Sequence, residues 1–111
     1  IKDNVNARGA ELVEMLGALK REHSLVAEVR SIGLLAAIDL KKSATDERPL
    51  VPYRATGEDL LPATRLQTLL KQAGVSTVVR YGTILIAPPL TINQAELKQG
   101  MMGVSQAIGQ L

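Results

Sequence analysis

No cysteine occurs in the 111 residues. That excludes a disulfide frame, a thiolate nucleophile and a cysteine-held metal. It is compatible with a cytoplasmic location. Phenylalanine and tryptophan are also absent, and Tyr53 and Tyr81 are the only aromatic residues. The core must therefore come from Leu, Ile, Val, Ala and Met. Single-stranded nucleic acid stacks its bases on aromatic faces, and this chain has almost none. Its formal net charge of +2 is too small to draw a polyanion. No apolar run approaches the roughly 20 residues that cross a bilayer. Neither nucleic acid nor membrane is therefore an expected partner. His23 is the only histidine, so a histidine metal cluster is excluded and a Ser-His-Asp triad has one possible base. Its place at a helix end, among polar neighbours, reads as a solvated side chain. The N-terminus carries no signal-peptide pattern. It starts without Met, inside what already reads as helix, so the chain is expected to be a piece of something longer.

What is present is a hydrophobic fraction of 46% and a mean hydropathy of +0.11, which implies a folded domain rather than a disordered tail. Val5, Gly9, Leu12, Leu16 and Leu19 recur every three or four residues and predict a helix over Asp3–Glu22. Small residues at Ala7, Gly9, Ala10, Gly17 and Ala18 would let another surface approach it closely. Leu25–Arg30 alternates and Leu34–Leu40 is mostly apolar, which predicts two strands joined as a hairpin near Gly33. In Leu25–Arg30 the alternation puts Leu25, Ala27 and Val29 on one side and Val26, Glu28 and Arg30 on the other. From 41 to 59 the pattern fails under Pro49, Pro52 and Gly57, and a long loop is expected. A second helix starts near Pro62, with Leu66, Leu69, Leu70 and Ala73 as its stripe and Gly74 as a left-handed cap. Val75–Arg80 and Thr83–Ala87 then read as strands about a Tyr81-Gly82 turn. Asn93 and Glu96 form a capping box before a last helix, with Ile92 stapled against Leu97. Leu97, Met101, Val104, Ile108 and Leu111 form its stripe. The expected fold class is α+β: a small, mainly antiparallel sheet of about four strands with helices on one face, in the order α-β-β-α-β-β-α.

A search for chemistry finds no self-sufficient active site. Gly100 and Gly103 follow no strand and make no dinucleotide fingerprint, so close helix packing is their expected role. Lys41-Lys42 and Asp46-Glu47 read as solvated loop charges. Met101-Met102 reads as core. Arg80 stands out, because it ends a hydrophobic strand beside a turn. A guanidinium there can grip a carboxylate or phosphate with two hydrogen bonds, or simply pair with an acidic neighbour.

The segment Val29-Arg30-Ser31-Ile32-Gly33-Leu34-Leu35-Ala36-Ala37-Ile38-Asp39-Leu40 resembles a pattern of the class III aminotransferases. That pattern is Val-Arg, a small residue, any residue, Gly-Leu, then a strand ending acidic-Leu. Ala87-Pro88-Pro89-Leu90-Thr91-Ile92, followed by a capped helix, is similar to the family's final Pro-Pro-Leu segment. The first helix resembles the one leading out of the large domain. The resemblance implies that residues 1–111 are the C-terminal small domain of a fold-type-I transaminase. Such an enzyme moves an amino group between an amino acid or amine and a keto acid. It also implies a homodimer in which the parent's large domain holds pyridoxal phosphate. The small domain closes over the substrate and carries no cofactor-binding residue. The six lysines, at Lys2, Lys20, Lys41, Lys42, Lys71 and Lys98, look solvent-facing, and none is expected to bind the cofactor. Arg80 resembles the substrate-binding arginine of ω-transaminase-like members, although its spacing to Pro88 is about a residue short. Leu85 stands where members acting on ornithine, acetylornithine or 4-aminobutyrate usually carry Arg, which departs from those substrates. The segment alone is expected to be inactive. The alternative is a stand-alone dimerisation or regulatory module.

Overall fold

The long 3.6-residue period at the start of the chain becomes helix α1, Lys2–Glu22. In the computed structural model, which describes residues 1–75 and 77–111, it buries Gly9, Leu12, Leu16 and Leu19. The strands β1 (Val26–Ile32) and β2 (Leu35–Ser43) follow as an antiparallel hairpin. Gly33 turns the corner at φ 57°, a conformation that glycine reaches without a Cβ clash. A β-bulge between Val26 and Glu28 shifts the register of β1. Strict alternation would put Val26 and Val29 on opposite faces. The extra residue restores both to the core side and sends Glu28 and Arg30 outward.

The stretch 41–59 is not one loop. Strand β2 runs on to Ser43, and β3 (Asp46–Pro49) pairs back onto it. The sheet therefore has five strands rather than about four. The Asp46 carboxylate accepts hydrogen bonds from the Arg48 backbone N–H and its guanidinium. The Arg48 side-chain bond, first among the causes, holds the Asp46 pKa down at about 2. Such local side-chain bonding is what a charge-rich segment offers in place of an apolar pattern. Leu50 and Val51 then dip into the core, and a short 3-10 turn at Gly57–Leu60 leads into α2, Leu61–Gln72. Gly74 closes α2 at φ 79°, as a left-handed cap should.

Strands β4 (Val78–Arg80) and β5 (Thr83–Ile86) form the second hairpin. Of the expected strand Val75–Arg80, Val75 lies outside β4 and Ser76 lies outside the described residues. Helix α3 (Gln94–Gly109) starts with the predicted capping box: the Glu96 N–H donates to Asn93 Oδ1 at 2.8 Å, and the Asn93 N–H to Glu96 Oε1 at 3.1 Å. Met101 is buried but Met102 is 64% exposed, so only the first of the pair is core.

The strand order is β1-β2-β5-β4, antiparallel throughout, with β3 on the far end of β2. Because side chains alternate along a strand, one face presents Ala36, Ile38, Leu40, Ile84 and Ile86 to Leu12, Leu16, Leu66, Leu70 and Val104 of the helices. Among the described residues no helix packs on the opposite face. The α+β layer predicted from the element order is the one observed.

Candidate functional site

The site candidates lie on the open face of the sheet. Strand register aligns its side chains into cross-strand rungs. Asp39 stands opposite Glu28 on one side and Thr83 on the other, and Thr83 stands opposite Arg80. The resulting rung, Glu28–Asp39–Thr83–Arg80, is polar. Two residues along comes Arg30–Ala37–Leu85–Val78, and beyond it Ile32–Leu35. The face is therefore polar at one end and apolar at the other. Ile32 is 84% exposed, Leu35 59% and Val78 60%.

Asp39 organises the polar end. The Arg30 guanidinium approaches its two oxygens at 3.1 and 3.2 Å, and the Thr83 hydroxyl donates to Oδ1 at 2.7 Å. Lys41 pairs with Glu47 at 3.0 Å. Arg80, exposed at the end of β4, has no ion pair and no side-chain hydrogen bond among the described residues. Its guanidinium is left available to an external anion.

The turn after Arg80 is unusual. Tyr81, not Gly82, takes the left-handed conformation, at φ 54°. Gly82 instead permits close approach: a Cβ there would sit 3.2 Å from the Val51 nitrogen and 3.3 Å from Leu50 Cβ. The 50–54 segment thus lies against the hairpin tip and brings Tyr53 to Tyr81, with ring centroids 6.0 Å apart and planes at 56°. Arg54, also left-handed at φ 60°, lies over the Tyr53 ring with Cζ 5.4 Å from its centroid. A notch of about 320 Å³ opens here, with Tyr53, Tyr81, Asp39, Glu47 and Thr83 in its walls. A second cleft, about 380 Å³, is apolar, walled by Val75, Ile86, Pro88, Pro89, Ile92 and Leu97. Its one carboxylate, Glu96, is engaged in the helix cap.

His23 is not simply solvated. It is half-buried at the C-terminal end of α1, and its Nε2 lies 2.8 Å from Ser105 Oγ, which ties α1 to α3. Among the described residues no group of acidic or histidine side chains could hold a metal. No helix among them is long and apolar enough to cross a membrane.

Asp39 was visible in the sequence only as the acid ending a strand. Its partners Arg30 and Thr83 come from neighbouring strands and carried no local signal. Tyr53 and Arg54 were hidden in the expected loop.

Residues 1–108 match the family profile of "Aminotransferase class-III". The chain belongs to the class III aminotransferase family. It is 30% identical over 107 residues to a leucine/methionine racemase of Thermococcus litoralis, covering 90% of this chain and 21% of that protein. It is 29% identical over 110 residues to an acetylornithine aminotransferase of Synechocystis, covering 98% of this chain and 22% of that one. The structure superposes with a TM-score of 0.86 on the taurine:2-oxoglutarate aminotransferase of Bifidobacterium kashiwanohense, solved with PLP and glutamate. That match has 26% identity and covers 97% of this chain and 24% of the other. The chain thus spans less than a quarter of the length of these relatives.

Pyridoxal phosphate is the cofactor of this family. The described residues here do not fit its covalent attachment. Lys2, Lys20, Lys42, Lys71 and Lys98 are exposed. The Lys41 side chain is only 14% exposed, contrary to the solvent-facing expectation, but its ammonium is held by Glu47.

Proposed function

We propose that this chain is the small domain of a pyridoxal-phosphate-dependent transaminase, in which it covers the substrate and Arg80 grips the substrate carboxylate. The observation that carries this reading is the one-sided sheet. Its open face has cations at Arg30 and Lys41 that are already paired, while Arg80 has no acidic partner among the described residues. A guanidinium and a carboxylate form two parallel charge-assisted hydrogen bonds, which fix orientation as well as position. Holding a substrate that way is a small domain's contribution to catalysis. The cofactor, on the parent's large domain, supplies the electron sink. With no lysine suited to hold it, the segment alone is inactive. The parent is a homodimer and cytoplasmic, and its substrates are an amino acid or amine and a keto acid.

A second reading rests on the racemase among the relatives: the parent inverts an amino acid rather than transferring its nitrogen. The full-length enzyme, given an L-amino acid and a keto acid, should yield the amino acid of that keto acid by chiral chromatography. Appearance of the D-amino acid alone would favour racemisation. Arg80→Ala should raise KM for carboxylate substrates by about tenfold or more through loss of the charge-assisted pair. Unchanged kinetics for every carboxylate would exclude the role. The stand-alone module predicts that the reading frame upstream of Ile1 encodes no large domain, which sequencing the gene decides.

A further inference from the structure

We propose that the apolar end of the open sheet face is the docking surface for the parent's large domain, the part of the chain that precedes Ile1. The proposal rests on the small-domain reading for its occupant, but not on the role of Arg80. Strand register gathers the patch: Ile32 stands opposite Leu35, Ala37 opposite Leu85, and Leu85 opposite Val78. Ile32, Leu35, Val78 and Leu85 are all exposed. Arg30, the charged member of these rungs, is already neutralised by Asp39 at 3.1 Å. Covering the patch therefore strands no unpaired charge. An apolar patch of about a few hundred Å² on one side of a sheet marks a contact surface.

The first turn of α1 lies at the same end of the sheet. A Cβ on Gly33 would sit 3.2 Å from Val5 Cγ1, and one on Gly9 would sit 3.0 Å from the Gly33 carbonyl oxygen. Helix α1 thus braces the tip of the β1–β2 hairpin, beside Ile32 and Leu35. The Asn4 side-chain amide donates to the Leu90 and Ile92 carbonyl oxygens at 2.8 and 2.9 Å, just beyond the end of β5. Chain preceding Ile1 in the parent therefore leaves the domain next to the patch. Size then separates the possible occupants. A free partner is held through about 800 Å² per side, more than this patch offers. A tethered one needs less, because a short connection keeps its effective concentration in the millimolar range. The parent's own chain fits better than a second copy. The matched relatives supply that length, since this chain covers 21%, 22% and 24% of them.

Residues 1–111 contain no cysteine, so a single thiol placed among them reports its own position, located by peptide mass. In the full-length protein Ile32→Cys and Val78→Cys should react with a maleimide at least about tenfold more slowly than Met102→Cys, because a covered thiol is not reached. Met102 is exposed on α3, in the helix layer. In urea the three should react alike. Labelling of both sheet positions as fast as Met102→Cys would overturn the proposal. So would protection that disappears on dilution, which would assign the patch to a second copy. Amino transfer is measured separately. A parent that transaminates while both sheet thiols label freely refutes the docking alone. One that protects both thiols but transfers no nitrogen refutes the transaminase reading alone.

Discussion

Helix α3 carries two glycines three residues apart whose replacement by alanine should move stability in opposite directions. Alanine in a helix interior is favoured over glycine by about 1 kcal/mol. At Gly100 an added Cβ would meet no atom of the described residues within 4 Å beyond its own helix backbone. Gly100→Ala should keep that gain, about 1 kcal/mol, or a rise in thermal midpoint on the order of 4–8 °C for a domain of this size. At Gly103 the same Cβ would fall 2.5 Å from Val75 Cγ2 and 3.1 Å from the Ala73 carbonyl oxygen. Valine is stiff about χ1 and the carbonyl is backbone, so neither yields easily. Overpacking of this kind costs about 1–3 kcal/mol, which the helix preference offsets only in part. Gly103→Ala should therefore be destabilised by up to about 2 kcal/mol, and fall below Gly100→Ala in stability. Thermal and urea unfolding followed by circular dichroism would measure both. If Gly103→Ala proved as stable as Gly100→Ala, the close approach of α3 to the end of α2 would be refuted.

Asn93→Ala should lose about 1 kcal/mol in urea unfolding, because the Glu96 N–H then loses its side-chain acceptor. Gly9→Ala should destabilise despite its helix preference, since the Cβ would lie 3.0 Å from the Gly33 carbonyl oxygen. In Gly17→Ala the only close neighbour among the described residues is the end of the Arg21 side chain at 3.4 Å, and stability should rise; equal effects at the two sites would count against the α1–hairpin contact. Asp46 should titrate at about 2 by carboxyl NMR, and Arg48→Ala should return it to the ordinary aspartate range. Its folded pKa lies below the unfolded value, so any stability from the pair is present above about pH 4 and fades as pH falls toward 2. The contribution should be small, because both side chains meet solvent.

How far the fold could be read in advance varied with how local its causes were. The capping box of α3 and the left-handed cap at Gly74 depend on residues within a few positions of one another, and both stand where expected. Strand β3 was missed because three charged residues closed by a proline carry no period. Neighbouring β2 and the Asp46–Arg48 bonds hold them in place. The phase of β1 was misread because a bulge leaves no mark in the alternation. Of the candidate site, Arg80 was legible as a cation ending an apolar strand. Asp39's grip on Arg30 and Thr83 was not, since Thr83 lies 44 residues away.

The amino-acid order determined the three helices, the strands β1, β2, β4 and β5, the apolar stripes of the helices, and the family to which the chain belongs. These follow from periodicity, caps and short motifs, whose physics acts over a turn or two of chain. Only the tertiary structure decided that the described helices pack on one face of the sheet and that Glu28, Asp39, Thr83 and Arg80 share a rung. It also decided that Tyr53 meets Tyr81. Those facts depend on strand register and on long-range packing, which join residues that no local interaction connects.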